Sequence, residues 1–359
     1  MANSEIPKKM KAAVLYGVDD VRVEERDVPV PGYQEVLIKV DAASICGTDI
    51  KVMHRQMGKQ PEDDFIMGHE YAGTIAAVGD GVDEFKIGDR VAVEIHKGCG
   101  HCENCIRGDY TACLNYGETE TSHRANGLTC DGGFAQYALN HINTLYKLPD
   151  NVSFEDSVLV TTAGCVMWGI DRLGGYIAGD TVIVIGPGPI GLMAVQCCKA
   201  LGANPVILTG TRESRLKIGR EVGADYTINV KEEDMVKRVM EITGGKGAEI
   251  VMECAGGENS LQEAIETVKR GGKICMVAFY KKPVTADMSH MARSNVNIYT
   301  CRGEGGMNCG RSLSLMSEGK IVAAPLITHH FPLGDIHQAI KTFVERIDDA
   351  IKVVIYPNK

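Results

Sequence analysis

Four cysteines, Cys99, Cys102, Cys105 and Cys113, form a C-x2-C-x2-C-x7-C array. Two-residue gaps let neighbouring thiolates converge on one cation, and four sulfurs close a tetrahedral shell. The array predicts a structural zinc with no open position, with His101 inside the loop but outside the shell. A second constellation is Cys46-Gly-Thr-Asp49 together with Gly68-His69-Glu70. Taken singly, such a cysteine belongs in a core and such a histidine in a hydrogen-bond network. A third stretch gives them chemical meaning: Thr181-Val-Ile-Val-Ile-Gly-Pro-Gly-Pro-Ile-Gly. Gly186, Gly188 and Gly191 make G-x-G-x-x-G between a β-branched run and a helical one, which Pro189 and Ile190 open. The first glycine permits a tight turn and the second lets backbone approach a pyrophosphate. The third lets helix pack on strand, its N-terminal dipole facing the phosphates. A dinucleotide held there would exchange hydride with an alcohol, and a zinc with an open position would acidify that alcohol's hydroxyl.

The strand after such a turn normally ends in a carboxylate that holds the adenosine ribose. Here no Asp or Glu occurs from Gly186 to Arg212, and Gly210-Thr211-Arg212 stands in that place. Losing the carboxylate removes repulsion against a 2′-phosphate. Thr211 then offers a hydroxyl donor and Arg212 a planar cationic fork. Glu213 falls after the strand has ended. The expected cofactor is NADP, with NAD as the alternative; the bland reading leaves Arg212 a solvated surface charge.

Two different scaffolds must position these residues. Residues 10–150 are rich in short strands, at Lys11–Tyr16, Val21–Glu24, Val36–Val40, Tyr71–Val78, Arg90–Glu94 and Phe134–Leu139, separated by turns such as Pro31-Gly32 and Gly88-Asp89. That spacing predicts a small barrel or a pair of packed sheets. The pattern changes at Ser153, the expected N-cap of a helix with Asp156 at the capping-box position. Strands at Val182–Ile185, Val206–Thr209, Tyr226–Asn229, Ile250–Glu253, Ile274–Ala278 and Ile298–Thr300 then alternate with helices, among them Ser260–Lys269, ended by Arg270-Gly-Gly. Six alternating strands predict an α/β fold with a doubly wound parallel sheet. A helix from Pro332 through Glu345 and a strand at Ile351–Tyr356 close the chain.

Composition sets the limits. The 359 residues have room for roughly two domains. A net charge of −9 without a basic run argues against a nucleic-acid partner. No apolar run is long enough to span a membrane, and Met1–Lys9 lacks the apolar core of a secretory leader. Thirteen cysteines without a leader then mean reduced thiols and metal ligands, and a cytoplasmic location is expected.

Ile45-Cys-Gly-Thr-Asp, Gly68-His-Glu-Tyr-Ala-Gly, Phe85-Lys-Ile-Gly-Asp-Arg-Val, the four-cysteine loop, Asp131-Gly-Gly-Phe-Ala-Gln-Tyr and the glycine turn occur here in one order. In that order the sequence resembles the zinc-dependent medium-chain alcohol dehydrogenases, most closely the sorbitol and threonine dehydrogenase branch. The resemblance implies a β-rich, GroES-like catalytic domain from residues 1–155 and 296–359, with a Rossmann domain, 156–295, inserted and an active site between them. It implies that Cys46 and His69 bind a catalytic zinc, with Glu70 a direct or transient ligand. Thr48 would relay the substrate proton, and Asp49 would fix the His69 tautomer. About two zincs per chain follow, and a homodimer or homotetramer joined through the strand at Ile298 is implied.

Two positions depart from the family. Lys51 stands where a relay histidine is usual, leaving His54 as a substitute. Thr161 or Thr162 stands where Glu, Asp or Cys usually completes the zinc shell. Water or substrate completing Cys46, His69 and Glu70, a shifted Cys165, and a weakly held zinc are the three readings. The expected substrate is a small polar secondary alcohol (a polyol or sugar) or its ketone. One alternative is a threonine-type dehydrogenase using NAD, with Lys51, Arg124 or Arg302 holding a carboxylate. The other is a nucleotide-binding redox sensor that has lost its catalytic zinc.

Overall fold

The computed structural model describes residues 6–59, 61 and 63–359. Residues 1–5, part of the stretch read for a leader, lie outside them. In chain order the strands are β1 (Lys9–Gly17), β2 (Asp20–Asp27), β3 (Glu35–Ile45), β4 (Phe65–Ile66), β5 (Glu70–Val78), β6 (Arg90–Val93), β7 (His96–Lys97), β8 (Arg124–Ala125), β9 (Tyr137–His141) and β10 (Leu145–Lys147). They continue with β11 (Val182–Ile185), β12 (Val206–Gly210), β13 (Tyr226–Asn229), β14 (Ala248–Glu253), β15 (Val268–Met276), β16 (Asn297–Thr300), β17 (Ile327–Pro332) and β18 (Lys352–Tyr356). The chain divides into two compact units, Met1–Thr161 with Ile327–Lys359, and Thr162–Leu326.

In the first unit a three-stranded sheet, β2-β1-β4, accompanies a larger one in the order β10-β6-β5-β3-β18-β17, with β9 also paired to β3. Apolar residues from both, among them Leu15, Val21, Ile38, Val40, Tyr71 and Val353, share one core. Of the two architectures expected, this is the packed pair of sheets. β3 is buried along almost its whole length, Lys39 and Asp41 being its more accessible residues, which suits a strand with neighbours on either side. β9 starts at Tyr137, later than the expected Phe134, because Asp131–Phe134 clamps the turn before His69. Gly133 N and Phe134 N donate to the carbonyls of Gly68 and Met67 at 2.8 and 2.9 Å. Gly68 has φ +92°, and a Cβ there would lie 2.5 Å from the Phe134 ring.

In the second unit six parallel strands run in the order β13-β12-β11-β14-β15-β16. The buried runs Val182–Ile185 and Val206–Gly210 make the central strands, as sequence predicts for strands covered on both faces. This is the doubly wound order whose direction of winding reverses between β11 and β14, where ligands of such sheets bind. The helix at Ser260 ends at Thr267, and Val268 already pairs with Ala248 in β15. Arg270-Gly-Gly is therefore an irregularity inside that strand and not a helix stop. The register slips from Ala248↔Val268 to Ile250↔Lys273, and Gly271, at φ +75°, absorbs the extra residues. Residues 296–326 pack in this unit: β16 is its sixth strand, and Asn308 and Arg311 of helix Asn308–Ser317 bond Asp171 at 3.0 and 2.7 Å. Among the described residues no helix is long and apolar enough to cross a membrane.

Candidate zinc centres and dinucleotide turn

The four-cysteine loop folds around its own sulfurs. Cys102 caps the short helix Glu103–Ile106 by accepting from Cys105 N, and Asn115 Nδ2 and Cys102 N both reach Cys99 Sγ at 3.4 Å. All four sulfurs lie within 4.8 Å of one another, and Cys99–Cys105 and Cys102–Cys113 are 3.9 Å apart. A zinc–sulfur tetrahedron with bonds of ~2.3 Å has edges of ~3.8 Å, so the donor set fits zinc as built. Burial opposes ionisation of Cys99, but surrounding N–H donors bring it down to about 6, while burial pushes Cys105 up to about 12. Four thiolates this close need a cation to coexist. The His101 ring faces outward, its Nδ1 bonded to the Cys99 carbonyl at 3.0 Å. Cys102→Ser is expected to remove one zinc per chain and lower Tm by roughly 10 °C or more, read by metal analysis and calorimetry.

The second centre is assembled by sheet register. β3 ends at Ile45, and Cys46 caps the helix Gly47–Met53 that follows. Asp49, third in that helix, accepts from Cys46 N through Oδ2 and meets His69 Nδ1 through Oδ1, both at 2.8 Å. The His69 Nε2 lone pair is thereby left for a metal. Ser44↔Glu70 across β3–β5 and Val354↔Ser44 across β18–β3 bring three strands to one spot. There Ser44 Oγ and Lys352 Nζ both donate to Glu70 Oε2 at 2.5 Å, all three buried. The candidate ligand atoms of Cys46, His69 and Glu70 lie within 4.8 Å of one another. This soft and hard N/O/S set fits zinc. Burial opposes the His69 cation, yet Asp49 and then Cys46 beside it raise its pKa well above the ordinary 6.5. Burial likewise opposes the Glu70 carboxylate, but Lys352, His69 and Ser44 lower its pKa, and Glu70 raises that of Lys352.

The remaining sequence candidates fall as follows. Thr48 is half-buried one residue before Asp49 in the same helix. His54 bonds Asp19 through Nδ1 at 2.7 Å, which commits that nitrogen to a surface carboxylate. Thr161 is buried, and its Oγ1 has no hydrogen-bond partner among the described residues. Cys165 belongs to the second unit, where its carbonyl accepts from Cys301 Sγ at 3.8 Å. Lys352 and Ser44 were not among the candidates. The signal for Lys352 was a lone cation opening the apolar run Lys352-Val-Val-Ile, since a charge in such a strand demands a partner.

Arg124 pairs with Glu35 at 2.5 Å, so its guanidinium is already committed. Lys97 faces it across β7–β8, and His141 lies nearby. Burial, then Lys97 and Arg124, push the His141 pKa down to about 4. The folded protein therefore resists a proton that the unfolded chain accepts below its ordinary 6.5. Stability present above that value is lost as pH falls from 6.5 toward 4. His141→Gln is expected to reduce the Tm drop between pH 7 and pH 5, measured by calorimetry at both.

The glycine turn meets its stereochemical demands. Gly186 has φ +100°, and a Cβ there would sit 2.8 Å from Ala255. A Cβ on Gly191 would lie 1.8 Å from the Gly186 carbonyl, whereas Gly188 faces open space, as close approach of a pyrophosphate requires. Pro189 and Ile190 open the helix Pro189–Ala200, capped by Gly188. Gly210 ends β12 with its missing Cβ 2.5 Å from Pro187, so the two loops interlock. Thr211 is exposed and Arg212 half-buried. The Arg212 carbonyl accepts from Leu216 N at 3.1 Å, while its guanidinium makes no hydrogen bond or ion pair among the described residues. Glu213 is turned to Arg220 at 2.5 Å.

A doubly wound sheet with a pyrophosphate turn, joined in one chain to two zinc-type donor sets, defines a zinc- and dinucleotide-dependent oxidoreductase. The comparisons with known proteins agree. The alcohol dehydrogenase GroES-like domain family matches residues 32–150 and the zinc-binding dehydrogenase family residues 189–318. Sorbitol dehydrogenase of Bacillus subtilis is 33% identical over 357 residues, 99% of either chain. L-threonine 3-dehydrogenase of Pyrococcus horikoshii is 36% identical over 90% of either chain. An Escherichia coli oxidoreductase/dehydrogenase of unknown specificity superposes with a TM-score of 0.90 at 32% identity, covering 97% of this chain and 99% of that one. The chain belongs to the zinc-dependent medium-chain alcohol dehydrogenase family, in its sorbitol/threonine dehydrogenase branch.

Proposed function

We propose that this enzyme interconverts a secondary alcohol of polyol or sugar type and its ketone, using NADP(H). The observation that carries the reading is the cluster of half-buried Cys46 with buried His69 and Glu70, in a chain whose β12 ends at Gly210 and is followed by Thr211-Arg212 with no carboxylate. Bound at that trio, zinc supplies a Lewis-acid position toward an alcohol oxygen, and NADP⁺ supplies the hydride acceptor. The chain does the rest. Asp49 fixes the His69 ring, and Thr48 takes the hydroxyl proton and passes it outward. Lys352 cancels the charge of Glu70, so a divalent cation meets one net negative charge instead of two and keeps more of its acidity. The four cysteines would hold a second, structural zinc. A neutral Thr161 hydroxyl is a poor ligand beside carboxylate or thiolate, so a water or substrate oxygen would be needed beside Cys46, His69 and Glu70. Assembly as a homodimer or homotetramer through the edge strand β16, in the cytoplasm, completes the proposal.

Threonine dehydrogenases among the relatives supply a second reading, oxidation of a hydroxy-amino acid with NAD. Such a substrate needs a cation for its carboxylate, and the engagement of Arg124 by Glu35 weighs against it. A panel of polyols, sugars, secondary alcohols and threonine, assayed on zinc-loaded enzyme with both cofactors, decides. The highest kcat/KM is expected for a polyol or sugar with NADP⁺. Preference for threonine with NAD⁺, or no turnover on any alcohol, would sink the proposal.

A further inference from the structure

We propose that Glu253 is a positioning residue for the nicotinamide half of the bound dinucleotide. β14 is the first strand of the second half of the sheet and lies next to β11 at the point where the winding reverses. Its last residue, Glu253, is fully buried. The carboxylate folds back on the loop that follows: Oε1 accepts from Ala255 N and Gly256 N, both at 2.8 Å. The Glu253 carbonyl also accepts from Val277 N and Ala278 N at 2.9 and 3.1 Å, which ties the ends of β14 and β15 together. Ala255 in turn presses on Gly186, whose missing Cβ would lie 2.8 to 3.1 Å from its Cβ, Cα and N. One buried oxygen thus fixes the loop Cys254–Gly256 that walls the pyrophosphate turn on the side of the second half-sheet.

The arrangement is costly. Oε2 is buried without a hydrogen bond of ordinary geometry, and the Tyr280 hydroxyl, bonded to Ser260 Oγ at 3.1 Å, also interacts with the Glu253 side chain. Burying a carboxylate outside any ion pair opposes folding. A plain core residue would fill this space more cheaply, but it could not hold two amides of a ligand-facing loop.

The inference rests on dinucleotide use by this family. Its test measures Kd for NADP⁺ and NAD⁺ by calorimetric titration of the zinc-loaded wild type, Glu253→Met, Glu253→Gln and Thr267→Ala. Thr267 is an equally buried control in the same unit, its Oγ1 bonded to the Glu263 carbonyl at 2.7 Å. Glu253→Met fills the space without an acceptor and is expected to raise Kd for the preferred cofactor about tenfold. Cofactor KM should follow, with kcat within about threefold of wild type. Glu253→Gln keeps an accepting oxygen and should bind like wild type, and Thr267→Ala should lower Tm without moving Kd. If Glu253→Met does not fold, Glu253→Asp, whose carboxylate is drawn back by one methylene, takes its place with the same expectation. Unchanged Kd in Glu253→Met, equal loss in Thr267→Ala, or failure of Glu253→Gln to restore binding would each overturn the assignment. A wild type that binds neither dinucleotide would overturn the proposed function with it.

Discussion

Cys46→Ala is expected to lower kcat/KM for the preferred alcohol by about a thousandfold or more, while the chain binds one zinc fewer than wild type. The thiolate is the only soft ligand in the trio with His69 and Glu70, and without it the remaining imidazole and a carboxylate already shared with Lys352 hold the metal weakly. Folding should survive, because the Cys46 N–H still donates to Asp49 Oδ2 in the alanine variant and only the sulfur side of the capping box is lost. Metal analysis, calorimetry and steady-state kinetics on the same preparation separate the outcomes. Retention of both zincs with activity intact would remove Cys46 from the site.

Arg212→Ala is expected to lower the ratio of kcat/KM for NADP⁺ over that for NAD⁺ by about tenfold to a hundredfold. That range follows from one or two charge-assisted hydrogen bonds to a phosphate. Because the Arg212 guanidinium has no partner among the described residues and its backbone bond to Leu216 survives truncation, its loss leaves nothing unpaired, and the rate with NAD⁺ should hold. Glu213 is an unsuitable substitute ribose ligand while it is bonded to Arg220. Pro187 forbids a side chain at Gly210, so the usual carboxylate could not be installed there without moving the glycine turn. A ratio unchanged in the mutant would refute the NADP assignment.

Local features were legible in the sequence because they are held locally. The first and last of the four cysteines are fourteen positions apart and the set announces its own geometry, and the glycine turn is one strand, one bend and one helix. The parallel sheet follows from alternation alone. What pairs across distance was not legible. Lys352 looks like any strand lysine until β18 is known to lie beside β3. Glu253 looks like the end of a strand until its carboxylate is seen to turn back on Ala255 and Gly256. Arg270-Gly-Gly carries a helix-stop signal, and the pairing of Val268 with Ala248 overrode it.

The strand register at Glu70 also sets an order in time. Glu70 and Lys352 are 282 positions apart, and Lys352 opens a strand that pairs on one side with β3 and on the other with β17. During synthesis the cysteine loop can close on zinc once its own short segment has emerged, at little entropic cost. The trio of Cys46, His69 and Glu70 lacks its counter-charge until β18 has been made. A chain still lacking β18 would have its four-cysteine cluster finished and the Cys46, His69 and Glu70 cluster without its balancing cation.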